Sequence, residues 1–247
     1  IVVVQLQAAI PTLDHLNARR ATGALEGDIR DDIFALAVTF IHLMLDNDPA
    51  GKVKEDDLIF YRLETGSYNA IFGSVRLPLA MHDPVRSMMA DNPSERWDQA
   101  DVMNWATGEK PSAVKHFPAK KAEIPFRFCK REHLGLTTLA WHFARHPHDA
   151  ARALESNVFV NWIKRYPDGS RYLKLIKGAI QSAKFHNENY KGTDDFLISN
   201  VSSLLDPAAP IRYKGMTFMP DGYGPMLAIH WCRRGDPKDA AQILNHE

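Results

Sequence analysis

The chain has 247 residues, 45% of them hydrophobic and 24% charged, a balance typical of folded globular proteins and unlike that of disordered or membrane-embedded chains. Lys plus Arg and Asp plus Glu number 30 each, so no net field draws the chain toward a phosphate backbone or an anionic membrane, and neither nucleic acid nor membrane is an expected partner. Cys129 and Cys232 are the only cysteines, lie far apart and have no C-x-x-C companion, which points away from a disulfide framework or zinc knuckle and toward a reduced, cytoplasmic setting.

Ile1-Val2-Val3-Val4 lacks the basic flank and small-residue cleavage site of a signal peptide, and no Met precedes it, so the chain is read as starting inside a longer polypeptide. From Asp31 to Leu45, apolar residues follow helical spacing at Ile33, Leu36, Ala37, Phe40, Ile41 and Met44. Phe34, Val38 and Leu45 add apolar groups on the other side. A helix apolar all round belongs at the centre of a core, and this one falls short of the roughly 20 residues of a membrane span. Asp-Asn-Asp-Pro-Ala-Gly at 46–51 ends it. A second helix is predicted from Glu55 to Glu64, stopped at Gly66, and an ordered loop with at most a short turn from Ser67 to Pro78. Further helices are expected at about 80–90 and 98–107, the latter with Asp98 as its N-cap and Gly108 closing it.

Residues 109–123 carry Pro111, Pro118 and several lysines with little apolar periodicity, which places a domain seam there. Beyond it, Pro125 to Cys129 reads as a short strand. Helical patterns recur at about 135–145, 147–155, 157–165, 170–189, 194–205, 224–233 and 237–245. Asp206 to Pro225, rich in proline and glycine, reads as an extended, partly buried excursion.

Asp32-Ile33-Phe34-Ala35-Leu36-Ala37-Val38 resembles the opening of the central buried helix of the protein kinase C-terminal lobe, with Ala37 where the family has glycine. Arg62-Leu63-Glu64-Thr65-Gly66-Ser67-Tyr68, Arg76-Leu77-Pro78 and Asp91-Asn92-Pro93-Ser94-Glu95-Arg96-Trp97 follow in the order of the next kinase helices. The stretch from about 31 to 108 is thereby similar to bacterial, eukaryotic-like Ser/Thr kinases. With the helical patterns beyond the seam, the chain is read as mainly α: a helical region at 1–112 that the resemblance makes kinase C-lobe-like, a linker at 113–124, and a helical C-terminal domain with little β at 125–247. The resemblance also implies architectural roles for Asp32, Arg96 and Trp97. In the family, the residue matching Asp32 accepts backbone hydrogen bonds from the catalytic loop, and the arginine matching Arg96 pairs with a glutamate upstream. Asp14, Glu26 or backbone carbonyls are the expected partners of Arg96 here.

The sequence contains no Gly-rich phosphate loop, strand lysine, His-Arg-Asp or Asp-Phe-Gly, so no catalytic residue and no nucleotide cofactor are assigned. The implied function is a non-catalytic, pseudokinase-type regulatory or interaction module that contacts a protein partner or an upstream kinase-like lobe. The alternative is the trailing part of an active Ser/Thr kinase whose catalytic residues precede Ile1.

Other constellations have bland readings. His142, His146, His148 and Asp149 have metal-ligand chemistry, and positions 142 and 146 fall on one helix face. Pro147 interrupts them and no H-E-x-x-H is present, so no metal is expected. The carboxylate pairs Asp56-Asp57 and Asp194-Asp195 sit at helix starts and read as caps. Lys115 to Arg131 is locally basic and reads as a solvated connector. Trp105, Trp141, Trp162 and Trp231 read as core anchors. The segment with Arg212, Tyr213, Lys214, Asp221 and Tyr223 is the candidate ligand or partner loop, because its glycines permit close approach and its aromatics supply contact area.

Overall fold

The computed structural model describes residues 29–45, 55–72, 77–109, 120–186, 193–219, 222–232 and 238. The turn at 46–51, the lysine-bearing segment 110–119, Asp221 and nearly all of the expected helix at 237–245 lie outside the described residues. Among the described residues the fold is mainly α: eleven helices and two small two-stranded sheets. They divide into two compact units, one built from residues 29–109 and one from residues 120–238. No helix among them is long and apolar enough to cross a membrane.

The first unit is organised on α1 (Ile29–Met44), with Asp31 and Asp32 in its first turn, where carboxylates offset the helix dipole. Phe34, Ala37, Val38 and Ile41 are completely buried, as the all-round apolar pattern demands. Around them pack Ile71, Phe72, Val85, Met88 and Trp97 from the elements that follow, α2 (Glu55–Thr65), α3 (Ser67–Phe72), α4 (Leu79–Met88) and α5 (Gln99–Ala106). Asp98 caps α5 in a full capping box: its carboxylate accepts from the Asp101 N–H, and the Asp101 side chain accepts from the Asp98 N–H.

One element differs from expectation. Residues 67–72 form α3 where a loop is predicted. Gly66, at φ +86°, turns the chain directly out of α2. The first N–H of α3, on Ser67, then donates to both carboxylate oxygens of Asp91, at 3.1 and 3.0 Å. The cap lies 24 residues away in sequence, beyond any local signal.

In the second unit the segment 120–124 is folded rather than a linker. Ala122 is buried and its N–H donates to Leu134 O at 2.8 Å, Trp162 Nε1 donates to Ile124 O at 2.7 Å, and the Tyr166 hydroxyl donates to Lys120 O. A tight hairpin follows, β1 (Phe126–Phe128) against β2 (Arg131–His133), with Cys129 and Lys130 at its turn in left-handed backbone, φ 46° and 66°. Then come α6 (Leu136–Arg145), α7 (Pro147–Leu154), α8 (Asn157–Arg165), α9 (Gly169–His186) and α10 (Thr193–Leu205). Their shared core runs through Leu139, Phe143, Phe159, Ile163, Ile176, Ile198 and Val201, each at most 1% exposed. Phe126 stands on Phe159 and Trp162, with ring centroids 5.5 and 5.4 Å apart, and such aromatic pairs add to simple area burial.

The start of α9 is set by contact. A Cβ on Gly169 would lie 1.8 Å from Ile163 O. That oxygen is backbone and cannot rotate aside, so Gly169→Ala is expected to cost about 2–3 kcal/mol. Urea unfolding of the variant checks this, and an unchanged midpoint would mean that α9 shifts freely.

The excursion after Asp206 is a second hairpin, β3 (Ile211–Tyr213) paired with β4 (Met216–Phe218), followed by α11 (Tyr223–Cys232). Tyr213, Met216, Phe218 and Met226 form a small core of their own.

Candidate functional site

Asp32 lies in the first turn of α1, and Arg96 reaches the same turn. Arg96 is 3% exposed. Its Nε donates to Ala90 O at 3.0 Å, and its Nη1 donates to Arg30 O at 2.7 Å and to Asp31 Oδ1 at 3.2 Å. The backbone carbonyls expected as partners are thus those of Ala90 and Arg30, and the described carboxylate partner is Asp31, on the central helix itself; Asp14 and Glu26 lie outside the described residues. The Arg96 guanidinium lies 5.1 Å from the centroid of the Phe34 ring and that of Arg62 lies 5.9 Å from it, so two cations face one buried aromatic. Desolvation pushes the Arg62 pKa down, and Asp91 pulls it back up. Asp91 is pushed up by burial against the opposing pull of Ser67 and both arginines. Asp31, Arg62, Asp91 and Arg96 therefore form one charge-compensated lattice within the first unit.

Trp97 is buried beside Trp105, with centroids 6.4 Å apart. Asp32, one residue after the partner of Arg96, is exposed.

The described loop residues belong to the second hairpin or pack beside it, and Asp221 lies outside the described residues. Tyr213 is buried in the hairpin core, Lys214 Nζ stands 5.7 Å from the centroid of its ring, Tyr223 packs on Phe218, and Arg212 faces Asp206, whose carboxyl is pushed up by burial. These contacts are those of an ordered strap. Within the basic stretch, Lys120 pairs with Asp168 at 2.5 Å and Arg127 with Glu132 at 2.7 Å.

Of the four metal-type residues, His146 and Asp149 stay together, while His142 and His148 find other partners. His142 turns inward, and its Nδ1 lies 3.0 Å from His133 Nε2 in a buried pair. Burial, followed by nearby positive charge, pushes His133 down to about 3 and His142 to about 4, so both are neutral at physiological pH. His148 lies at the surface and bonds Asp194 at 2.8 Å, which raises its pKa. His146 sits at the junction of α6 and α7, beside Cys129 and Asp149. Cys129 contributes from the hairpin turn and is not singled out by the sequence, because the fold alone brings it to residues 17–20 positions later.

A cleft of about 440 Å³ opens beside Trp162, lined by Ile124, Pro125, Phe126, Val158 and Arg165 among others. Ile124 and Val158 are 57% and 71% exposed there. Trp231, expected in the core, is instead 68% exposed on α11.

Compared with known protein families, curated proteins and solved structures, the chain matches none.

Proposed function

We propose that the chain is a non-catalytic, kinase-like module that works through protein contacts, its first unit serving as the lower scaffold of a C-lobe-type helical domain. The observation that supports this reading is the buried central helix α1 with Arg96 bonded back to its start. The exposed carboxylate of Asp32, at the head of that helix, is the group through which such a scaffold receives backbone N–H donors from a docked segment. In the second unit, the apolar cleft beside Trp162 is the surface that a partner side chain would enter.

Nothing in the sequence cradles a triphosphate or holds its magnesium, so thermal unfolding is expected to be unchanged by saturating ATP and magnesium. Transfer of a γ-phosphate to the chain or to a general protein substrate is expected to stay at background. A rise in Tm of several degrees with nucleotide would overturn the non-catalytic reading. Native-state hydrogen exchange across 29–44 as fast as in an unfolded peptide would remove the kinase-like one.

A further inference from the structure

The turn of the first hairpin and the junction of α6 with α7 bring together a thiol, an imidazole and a carboxylate. The ligand atoms of Cys129, His146 and Asp149 all lie within 4.8 Å of one another. We propose that these three side chains bind a divalent transition metal of the zinc class, with a fourth coordination position open to solvent. This site is separate from the kinase-like reading of the first unit and does not depend on it.

The donor set carries the choice of metal. Thiolate and imidazole together select zinc-like ions over magnesium or calcium, and three protein ligands from Cys, His and Asp leave a tetrahedral ion one place for water. Each ligand comes from a different part of the local fold: Cys129 from the hairpin turn, His146 from the residue that ends α6 and begins α7, and Asp149 from the first turn of α7.

The surroundings orient them. Asp149 Oδ1 is held by Arg152, which leaves Oδ2 facing Cys129 Sγ at 4.0 Å. The His146 ring is fixed edge-on against His142 and Phe128, with centroids 5.2 and 6.4 Å away, and forms no hydrogen bond to any described residue. Its nitrogens are therefore available to an ion. Such oriented ligand supports are a usual part of metal sites. Binding converts the Cys129 thiol to a thiolate, and the proton passes to solvent.

The helix-face pairing of His142 with His146 read from the sequence fails because α6 ends at Arg145. His142 goes to the interior and His146 goes to the ligand cluster.

The test uses the purified full chain, stripped with chelator and titrated with Co²⁺. One equivalent is expected to produce thiolate-to-cobalt charge transfer in the near ultraviolet with intense tetrahedral bands in the visible, both erased by added Zn²⁺. Cys129→Ser should abolish the charge-transfer band, and His146→Gln and Asp149→Asn should weaken binding at least about tenfold. Cys232→Ser and His148→Gln should leave the titration unchanged. Cys129 packs at the edge of the core and the other four positions lie outside it, and serine conserves the size of the thiol, so circular dichroism of each variant should match the parent. Absence of saturable binding would overturn the site. So would a band that survives Cys129→Ser, or one that is lost with Cys232→Ser.

Discussion

Phe34→Ala is expected to destabilise the first unit by about 4 kcal/mol, the largest single-residue effect predicted for this chain. Phe34 is completely buried at the second turn of α1, so truncation removes a whole ring from water-free surroundings and leaves a cavity that helices on several sides cannot all close. The ring is also the surface against which Arg62 and Arg96 are held. Without it their guanidinium groups keep the desolvation cost but lose an attractive face. Phe34→Leu separates the two effects. It fills most of the volume but offers no π face, so its cost should fall to about 1–2 kcal/mol of packing plus whatever the cations lose. Hydrogen exchange of peptides from 29–45 and 77–106 under mild urea reads the loss locally, while peptides from 120–186 serve as the internal reference. Equal protection in Phe34→Ala and the parent would show that α1 is not the axle of its unit.

The axle was legible because its evidence is local: apolar residues on every face of a helix bounded by charge admit few environments other than a core. The cap at Asp98 was legible for the same reason, since both halves of the capping box lie within four residues. The features that escaped reading are held together across the chain. α3 depends on Asp91, the clamp on Arg96 depends on Asp31 at a separation of 65 residues, and 120–124 is anchored by Trp162 and Tyr166 some 40 residues later. Short strands such as β2 offer too few residues for an alternation to register. Of the metal-type residues named from the sequence, His146 and Asp149 are brought together by the fold, but helix spacing paired His146 with His142, and Cys129 joins only through the hairpin. Trp231 shows the reverse error, an aromatic at a helical position that the described fold leaves exposed.

Acid is expected to unfold the second unit selectively, and the window follows from the buried pair His133–His142. Both pKa values are depressed in the native state, to about 3 and about 4, while an unfolded histidine titrates near 6.5. Above about pH 6.5 both states leave these rings neutral and stability is independent of them. As pH falls below that value the unfolded chain binds protons that the native pair refuses, so stability declines until the native rings themselves titrate near pH 4 to 3. Two such sites give a slope of at most about 2.7 kcal/mol per pH unit, and a loss on the order of 4 kcal/mol between pH 6.5 and 4.5.

The groups facing the pair, Arg131, Arg145 and His146, are basic and reinforce the refusal. Asp206 and the surface His148, whose pKa values are raised, act in the opposite direction, and His148 is solvent-screened. Urea unfolding of the chelator-treated chain from pH 7 to 4.5, followed by exchange of peptides from 126–165, measures the slope. The double variant His133→Leu, His142→Leu replaces both members of the hydrogen bond with apolar groups. It should be nearly neutral at pH 7 and flat with pH, whereas either single variant leaves a buried ring nitrogen without its partner and should be destabilised throughout. A parent whose stability does not change across that range would show that the two rings are hydrated rather than sealed within the core.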